Sequence, residues 1–129
     1  MPVRSLSSSV LAWPGKDLVE PALAAWALEL STRCDDLLAV CYFGSYARGD
    51  WGVGSDLDLI VVLEQSQSPF GRRSVPMETR MLPVPVDMLI YTRRELEEMM
   101  QRGGRFPAML RAEAEWVWRR SDFPGLQSY

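Results

Sequence analysis

The sequence predicts a domain of the α/β (α+β) class, in which helical and strand segments follow one another along the chain. Apolar residues recur at helical spacing near the N-terminus, and later apolar runs have the length of buried strands. The 129 residues suffice for one domain with a modest core. We therefore expect a single domain over 1–129, with its core at about 18–118 and extensions at 1–13 and 121–129.

The first predicted helix covers about 18–32, where one stripe of the helix is apolar. That stripe consists of Val19, Ala22, Leu23, Trp26 and Leu30. Asp17 and Glu20 resemble a capping box at its start, although Pro21 obscures the first helical residue.

Three apolar runs predict strands at 37–43, 56–63 and 84–91. The first run is apolar throughout and predicts a strand that is buried on both faces. The segment 44–54 holds four of the nine glycines and predicts a loop. The polar segment 65–81 fits either a short helix or an ordered loop.

The C-terminal part predicts two further helices and a last strand. Thr92 and Glu95 have the spacing of a capping box, so a helix should begin there and end at Gly103. Pro107 suits the first turn of another short helix. The apolar run 116–118 predicts a small strand.

Composition excludes several classes of function. The chain contains no histidine, which removes Ser-His-Asp and Cys-His catalysis and every zinc site that needs imidazole. A net charge of −3 disfavours a nucleic-acid partner. No apolar run is long enough to span a membrane, and the N-terminus lacks the pattern of a signal peptide. Cys34 and Cys41 are expected to be reduced thiols, so we predict a cytoplasmic protein.

The most informative segment joins a Gly-Ser turn to two closely spaced carboxylates. Asp56 and Asp58 point to the same side of a strand because successive side chains alternate faces. Such neighbours repel each other and need a cation to hold them together. Gly44 and Ser45 offer backbone N–H groups and a hydroxyl, which suit phosphate. Metal and phosphate in one short segment indicate phosphoryl or nucleotidyl transfer.

A third carboxylate, Asp87, lies within the apolar run 84–91. An ionised carboxylate buried in such a strand is costly unless it is paired or bound to a metal. One interpretation is an ion pair with Arg80, Arg93 or Arg94. The other places Asp87 on a strand beside Asp56 and Asp58, where the three would supply the oxygen ligands that Mg²⁺ prefers.

With these residues placed, the chain resembles the minimal nucleotidyltransferases of the DNA polymerase beta superfamily. The family pattern is Gly-Ser, ten residues, Asp-x-Asp and a later Asp on an adjacent strand. Gly44-Ser45, Asp56-Leu57-Asp58 and Asp87 match it, as does Ala47-Arg48-Gly49. The resemblance implies a nucleotidyltransferase fold with a small mixed sheet flanked by helices.

The resemblance also implies a chemistry, the transfer of a nucleoside monophosphate, AMP from ATP by analogy, to an acceptor hydroxyl. Asp56, Asp58 and Asp87 would then hold two Mg²⁺ ions, with Asp87 helping to deprotonate the acceptor. Gly44 and Ser45 would hold the triphosphate. Arg48 would either neutralise the leaving pyrophosphate or pair with Asp50 at the surface.

Stand-alone relatives of this size resemble antitoxins that are encoded beside helical HEPN-type ribonuclease toxins. This kinship implies a toxin–antitoxin system in which a tyrosine of the HEPN-type partner accepts AMP. The alternative is a binding module that neutralises its partner by occlusion, without catalysis. Trp51, in the glycine-rich loop, would cover the nucleotide, meet a partner or anchor the loop.

Overall fold

The computed structural model describes residues 13–126 and contains a four-stranded sheet with the strand order β3-β2-β1-β4. Strands β1 (Leu37–Phe43) and β2 (Leu57–Leu63) are antiparallel, as are β1 and β4 (Glu115–Arg119). Strand β3 (Val86–Thr92) runs parallel to β2. The expected small mixed sheet flanked by helices is therefore confirmed. The outer parts of the predicted extensions, 1–12 and 127–129, lie outside the described residues.

Helix α1 (Lys16–Arg33) packs the predicted apolar stripe against one face of the sheet. Its buried side chains are Val19, Leu23, Trp26, Ala27 and Leu30. The predicted Asp17–Glu20 capping box is wrong. The N-cap is Gly15, which provides no side-chain cap, and the carboxylate of Glu20 instead accepts a hydrogen bond from the hydroxyl of Tyr42.

The two central strands form the core of the sheet. Strand β1 has the predicted bounds and is buried along almost its whole length. Strand β2 begins one residue later than predicted, at Leu57, and is buried on both faces after Asp58. Two covered faces explain the near-continuous apolar runs in both segments.

The expectation that Asp87 lies in a buried strand is wrong, because β3 is an edge strand. This strand has a neighbour on one side only and is mostly half-buried, and Asp87 itself is exposed near its start. The apolar sequence around Asp87 therefore belongs to a partly covered edge, not to a fully buried strand. The proposed arginine partners are engaged elsewhere, because Arg80 pairs with Glu78, Arg93 with Glu64 and Arg94 with Glu98.

Helices α3 (Arg93–Arg102) and α4 (Arg105–Glu113) cover the second face of the sheet, where Leu96, Met100 and Leu110 are buried. The predicted capping box is confirmed: the Glu95 amide donates to the Thr92 hydroxyl at 3.2 Å, and the Thr92 amide donates to the Glu95 carboxylate at 3.0 Å. These bonds satisfy two N–H groups that a helix start leaves unpaired. The chain thus turns directly from β3 into α3.

The segment between β2 and β3 is an ordered loop with one short 3₁₀ turn, Phe70–Arg72. Arg73 fastens this loop to the rest of the fold. Its guanidinium donates to the carbonyls of Ser68 at 2.9 Å and Ile90 at 3.0 Å, and to the carboxylate of Glu95 at 3.0 Å. The Arg73 side chain is only 6% exposed, so these bonds replace water that the guanidinium has lost.

Replacing Arg73 with Met is expected to lower the free energy of unfolding by about 2 kcal/mol, because a partly covered carboxylate and a carbonyl lose their donor. The Arg73 guanidinium lowers the pKa of Glu95 to about 2. The Arg73–Glu95 pair therefore stabilises the fold fully at pH values above about 4.3, which is the pKa of a glutamate in the unfolded chain. This stabilisation is lost as the pH falls toward 2. Urea unfolding at several pH values should show that the free energy of unfolding of the natural chain falls at acid pH, and that it falls less in Arg73→Met.

The matched control is Arg80→Met. Arg80 also pairs with a glutamate, Glu78, but its side chain is 84% exposed. An exposed pair contributes about 0–1 kcal/mol, so this substitution should change little. Equal destabilisation by the two substitutions would contradict the anchoring role of Arg73.

Both cysteines are free thiols, as expected. Cys41 lies buried in β1, and burial raises the pKa of its thiol to about 12.

In the part of the chain that the structure describes, no helix is long and apolar enough to cross a membrane.

Candidate nucleotidyl-transfer site

The site begins with a close approach between the glycine-rich loop and strand β2. Gly44 follows β1 directly and has a φ of +81° and a ψ of −149°, a conformation that is essentially restricted to glycine. A Cβ atom at this position would lie 2.2 Å from Oδ2 of Asp58. Gly44 is therefore required both for the turn and for the room that the Asp58 carboxylate occupies.

Asp58 and Asp87 are direct partners in the parallel ladder between β2 and β3. In-register partners project to the same face of a sheet. The next residues on that face, Ile60 and Leu89, belong to one apolar cluster, which confirms the shared direction. The ladder thus places the two carboxylates side by side at one end of the sheet.

The surroundings of Asp58 disfavour the negative charge of its carboxylate. Partial burial raises its pKa, and the negative charges of Asp87 and Asp56 raise it further, while Arg48 lowers it. Asp56 precedes β2 and is exposed. The other two predicted carboxylates therefore both act on Asp58, and a positive charge beside it would relieve this repulsion.

The donor set suits a magnesium ion that is shared with a substrate. Within residues 13–126, no three acidic or cysteine side chains already stand close enough to enclose an ion by themselves. Mg²⁺ commonly takes one or two carboxylates and completes its octahedron with phosphate oxygens and water. Two adjacent aspartates with a third beside them fit that mode of binding better than an all-protein cage.

Ser45 begins the short helix α2 (Ser45–Arg48), immediately after Gly44, the residue that lies against Asp58. The Ser45 carbonyl accepts the amides of Gly49 and Asp50, at 2.9 and 3.1 Å, which fixes the path of the loop. The Ser45 side chain is half-buried. The sequence-predicted Gly-Ser turn and carboxylate pair therefore meet at the same end of the sheet.

Arg48 is held by two carboxylates. Its Nε donates to Asp50 at 3.0 Å, and its Nη1 donates to Glu113, at the end of α4, at 3.2 Å. The Asp50 pair was one of the two sequence interpretations. The Glu113 partner lies 65 positions away in sequence, and no local pattern signals it.

Trp51 anchors the loop. Its ring stacks on Tyr46 with a centroid distance of 5.4 Å and an interplanar angle of 7°. The same ring lies against Gly15, and the Tyr46 hydroxyl donates to the Pro14 carbonyl at 2.8 Å. These contacts tie the glycine-rich loop to the start of α1.

The comparison with protein families identifies the class to which this chain belongs. A family model described as a nucleotidyltransferase domain matches residues 28–115, which is more than half of the chain. The chain is therefore a member of the nucleotidyltransferase domain family. No curated protein matches it.

Two solved structures are similar to the chain. A crystal structure of a candidate nucleotidyltransferase from Sulfolobus solfataricus has a TM-score of 0.59 and 20% sequence identity, and covers 83% of this chain and 86% of its own. At this identity the similarity concerns the fold. A crystal structure of a toxin–antitoxin with AMP-PNP has a TM-score of 0.48 and 15% identity, and covers 76% of this chain and 74% of its own.

Proposed function

We propose that the protein transfers a nucleoside monophosphate from a nucleoside triphosphate to an acceptor hydroxyl, in a reaction that requires Mg²⁺. The observation that carries this proposal is the in-register pair of Asp58 and Asp87, with Asp58 packed under Gly44. Membership of the nucleotidyltransferase domain family supports the type of reaction. The charge repulsion at Asp58 supports the need for a cation.

Each residue has a proposed role. Asp56, Asp58 and Asp87 would hold two Mg²⁺ ions, which neutralise the triphosphate and stabilise charge on the attacking and leaving oxygens when they are bound. Asp87, which is exposed, would accept the proton of the incoming hydroxyl. Gly44 and Ser45 would position the triphosphate. Arg48, 45% exposed, would turn from Asp50 toward the departing pyrophosphate.

ATP as donor and a tyrosine hydroxyl of a HEPN-type partner as acceptor are the finer parts of the proposal. They depend on the resemblance of Gly44-Ser45, Asp56-Leu57-Asp58 and Asp87 to the antitoxin-type minimal nucleotidyltransferases. The rival function is that of a binding module, which would occlude its partner without transferring a nucleotide. The two functions differ in whether a label from ATP becomes covalently attached.

The direct test is calorimetric titration of the protein with a non-hydrolysable ATP analogue, with and without Mg²⁺. We expect binding to strengthen at least about tenfold with Mg²⁺, because the ion offsets the repulsion between the carboxylates and the triphosphate. Lowering the pH should weaken this gain, since the raised pKa of Asp58 makes a proton compete with the ion. Equal affinity with and without Mg²⁺ would refute the metal-dependent mechanism.

Catalysis is tested separately by incubating the protein with Mg²⁺, ATP labelled at the α-phosphate and extract from its own cells. Attachment of the label to a protein band supports the transferase, because the α-phosphate stays with the transferred nucleotide, and a pyrophosphatase-coupled assay of the unlabelled pyrophosphate gives its rate. Asp35→Asn is the matched control for Asp58→Asn. Asp35 is also an aspartate, but it is exposed and lies just before β1, at the end of the sheet opposite Asp58. Nucleotide binding with no transfer to any acceptor would favour the binding module.

A further inference from the structure

A small pocket lies between strand β3, helix α3 and the loop that precedes β3. Its volume is about 290 Å³, below the range of about 300–1,000 Å³ that is usual for small-molecule sites. It is lined by Phe70, Tyr91, Glu95, Glu98, Met99 and Arg102. A pocket of this size suits one large side chain of another protein better than it suits a nucleotide.

The part of the pocket wall that is free to make contacts is apolar. Phe70 is 42% exposed, and the centroid of its ring lies 5.0 Å from that of Tyr91. The thioether of Met99 lines the same pocket, and a methionine adapts to the shape of what it contacts. Both glutamates in the wall already accept hydrogen bonds from arginine side chains. The pocket therefore offers an apolar side chain a place to leave water.

The pocket and the proposed reactive end lie on one face of the sheet. Asp87, Leu89 and Tyr91 share a face of β3, because successive side chains of a strand point to opposite sides. Leu89 and Tyr91 pack against the apolar cluster on this face and are only half-buried. Four residues of a strand span about 13 Å. Tyr91, in the pocket, is therefore about 13 Å from Asp87, along a partly open stretch of β3.

Two arginines lie where the pocket approaches the reactive end. Arg102 is the last residue of α3 and lines the pocket, and Arg105 is the first residue of α4. Both are exposed, and among the described residues neither guanidinium takes part in a hydrogen bond or an ion pair. The ring of the next residue, Phe106, meets Phe43 edge-on at 5.5 Å, and Phe43 is the strand partner of Asp58. This corner of the chain therefore brings positive charge close to the reactive end.

We propose that an extended segment of the acceptor protein binds along an acceptor groove, defined as the pocket together with Leu89 and Asp87. The proposal rests on the transfer function proposed above, because it takes Asp87 as the place of the acceptor hydroxyl. An extended segment advances by about 3.3 Å per residue, as β3 does. A residue four positions from the hydroxyl residue therefore reaches the pocket, and its side chain lies on the same side of the segment.

The chemistry of the acceptor groove defines the segment that fits it. The apolar pocket takes a large apolar side chain, which is phenylalanine in the simplest case. The guanidinium groups of Arg102 and Arg105 favour an aspartate or glutamate between this side chain and the hydroxyl residue. Spacings of three or five turn the apolar side chain away from the pocket. The acceptor segment therefore combines a hydroxyl, an acidic residue and an apolar residue four positions from the hydroxyl.

Fluorescence anisotropy of labelled peptides tests the spacing with the full chain, in the absence of nucleotide and Mg²⁺. The probes are glycine–alanine peptides with one tyrosine, an aspartate next to it, and one phenylalanine three, four or five positions from the tyrosine on either side. On one side of the tyrosine, we expect the spacing of four to bind at least about tenfold more tightly than the other two, because only this ring leaves water. A peptide with alanine in place of phenylalanine is the reference.

Substitutions in the protein test the part that the pocket has in this binding. Phe70→Ser should remove the preference for the spacing of four. Met81→Ser is the matched control, because Met81 is 63% exposed and lies outside the pocket, so the preference should persist. Arg102→Gln should reduce the gain from aspartate over asparagine in the peptide, while the preference for the spacing of four is retained. Circular dichroism of each variant excludes loss of fold as the cause.

Transfer to the peptides is measured separately, with Mg²⁺ and ATP labelled at the α-phosphate. In the proposed reaction the tyrosine oxygen forms a bond to the α-phosphorus, pyrophosphate leaves and the tyrosine proton passes to Asp87. Peptides that bind with the spacing of four but receive no label would support the acceptor groove and count against the transfer function. Equal binding at the three spacings, no binding by any peptide, or equal losses in Phe70→Ser and Met81→Ser would overturn the acceptor groove, whether or not label is transferred.

Discussion

Asp58→Asn should abolish nucleotidyl transfer and, in metal-free buffer at neutral pH, raise the melting temperature. If Asp58 binds the ion as proposed, removal of its carboxylate should cost at least about 100-fold in rate. The same substitution removes a charge that is partly buried and repelled by Asp87 and Asp56. In a domain of this size, each 1 kcal/mol of relief would raise the melting temperature by about 4 °C.

The pH dependence of stability gives an independent check on Asp58. Because the folded-state pKa of Asp58 is raised, its contribution to stability is fully present below the unfolded pKa of about 4 and is lost as pH rises through the folded pKa. The gain from Asp58→Asn should therefore shrink as the buffer approaches pH 4. Scanning calorimetry with a chelator measures it, and Asp35→Asn serves as control. A melting temperature that falls at neutral pH in Asp58→Asn would contradict the crowded-carboxylate interpretation.

Gly44→Ala is expected to remove Mg²⁺-dependent nucleotide binding and to destabilise the fold. The new Cβ would lie 2.2 Å from Asp58 Oδ2, so the carboxylate must move from its place. The backbone conformation adds about 1–3 kcal/mol of strain for any residue with a side chain. Urea unfolding and calorimetric titration measure the two losses.

Gly103→Ala separates backbone strain from the contact with Asp58. Gly103 ends α3 with a φ of +75° and a ψ of −167°, close to the Gly44 conformation, but a Cβ there meets nothing within 4 Å. It should cost stability while leaving nucleotide binding unchanged. In an Asp58→Ala background, Gly44→Ala should cost no more than Gly103→Ala. A persistent excess would show that something other than the carboxylate fills the space.

Patterns that depend on neighbouring residues were predicted well from the sequence. The bounds of β1, the buried stripe of α1 and the capping box between Thr92 and Glu95 are all found in the structure. Each arises from local periodicity or from a side chain that bonds its own backbone. The ladder places Asp58 and Asp87 at one end of the sheet, with Asp56 just before β2, and the roles of the three residues stay predictions.

Features decided by distant contacts could not be predicted in the same way. The local sequence predicts a helix cap at Glu20, but the hydroxyl of Tyr42, on the neighbouring strand, donates a hydrogen bond to its carboxylate. The apolar run around Asp87 resembles a central strand and predicts burial, and only the strand order reveals the edge. The sequence of 65–81 does not decide between a helix and a loop because its anchors, such as the bond from the Trp26 indole to the Glu78 carbonyl, come from other elements.

The distance between Asp58 and Asp87 is set by the parallel ladder between β2 and β3. It does not depend on the length of the chain that joins the two strands. Backbone hydrogen bonds fix this separation, whereas the intervening loop leaves the sheet and exposes residues 67–70 to solvent. Extra residues at that bend would lengthen the route between the two strands without changing their register. A recognition module for a new acceptor could therefore be grafted there while the spacing of the two aspartates stays as it is.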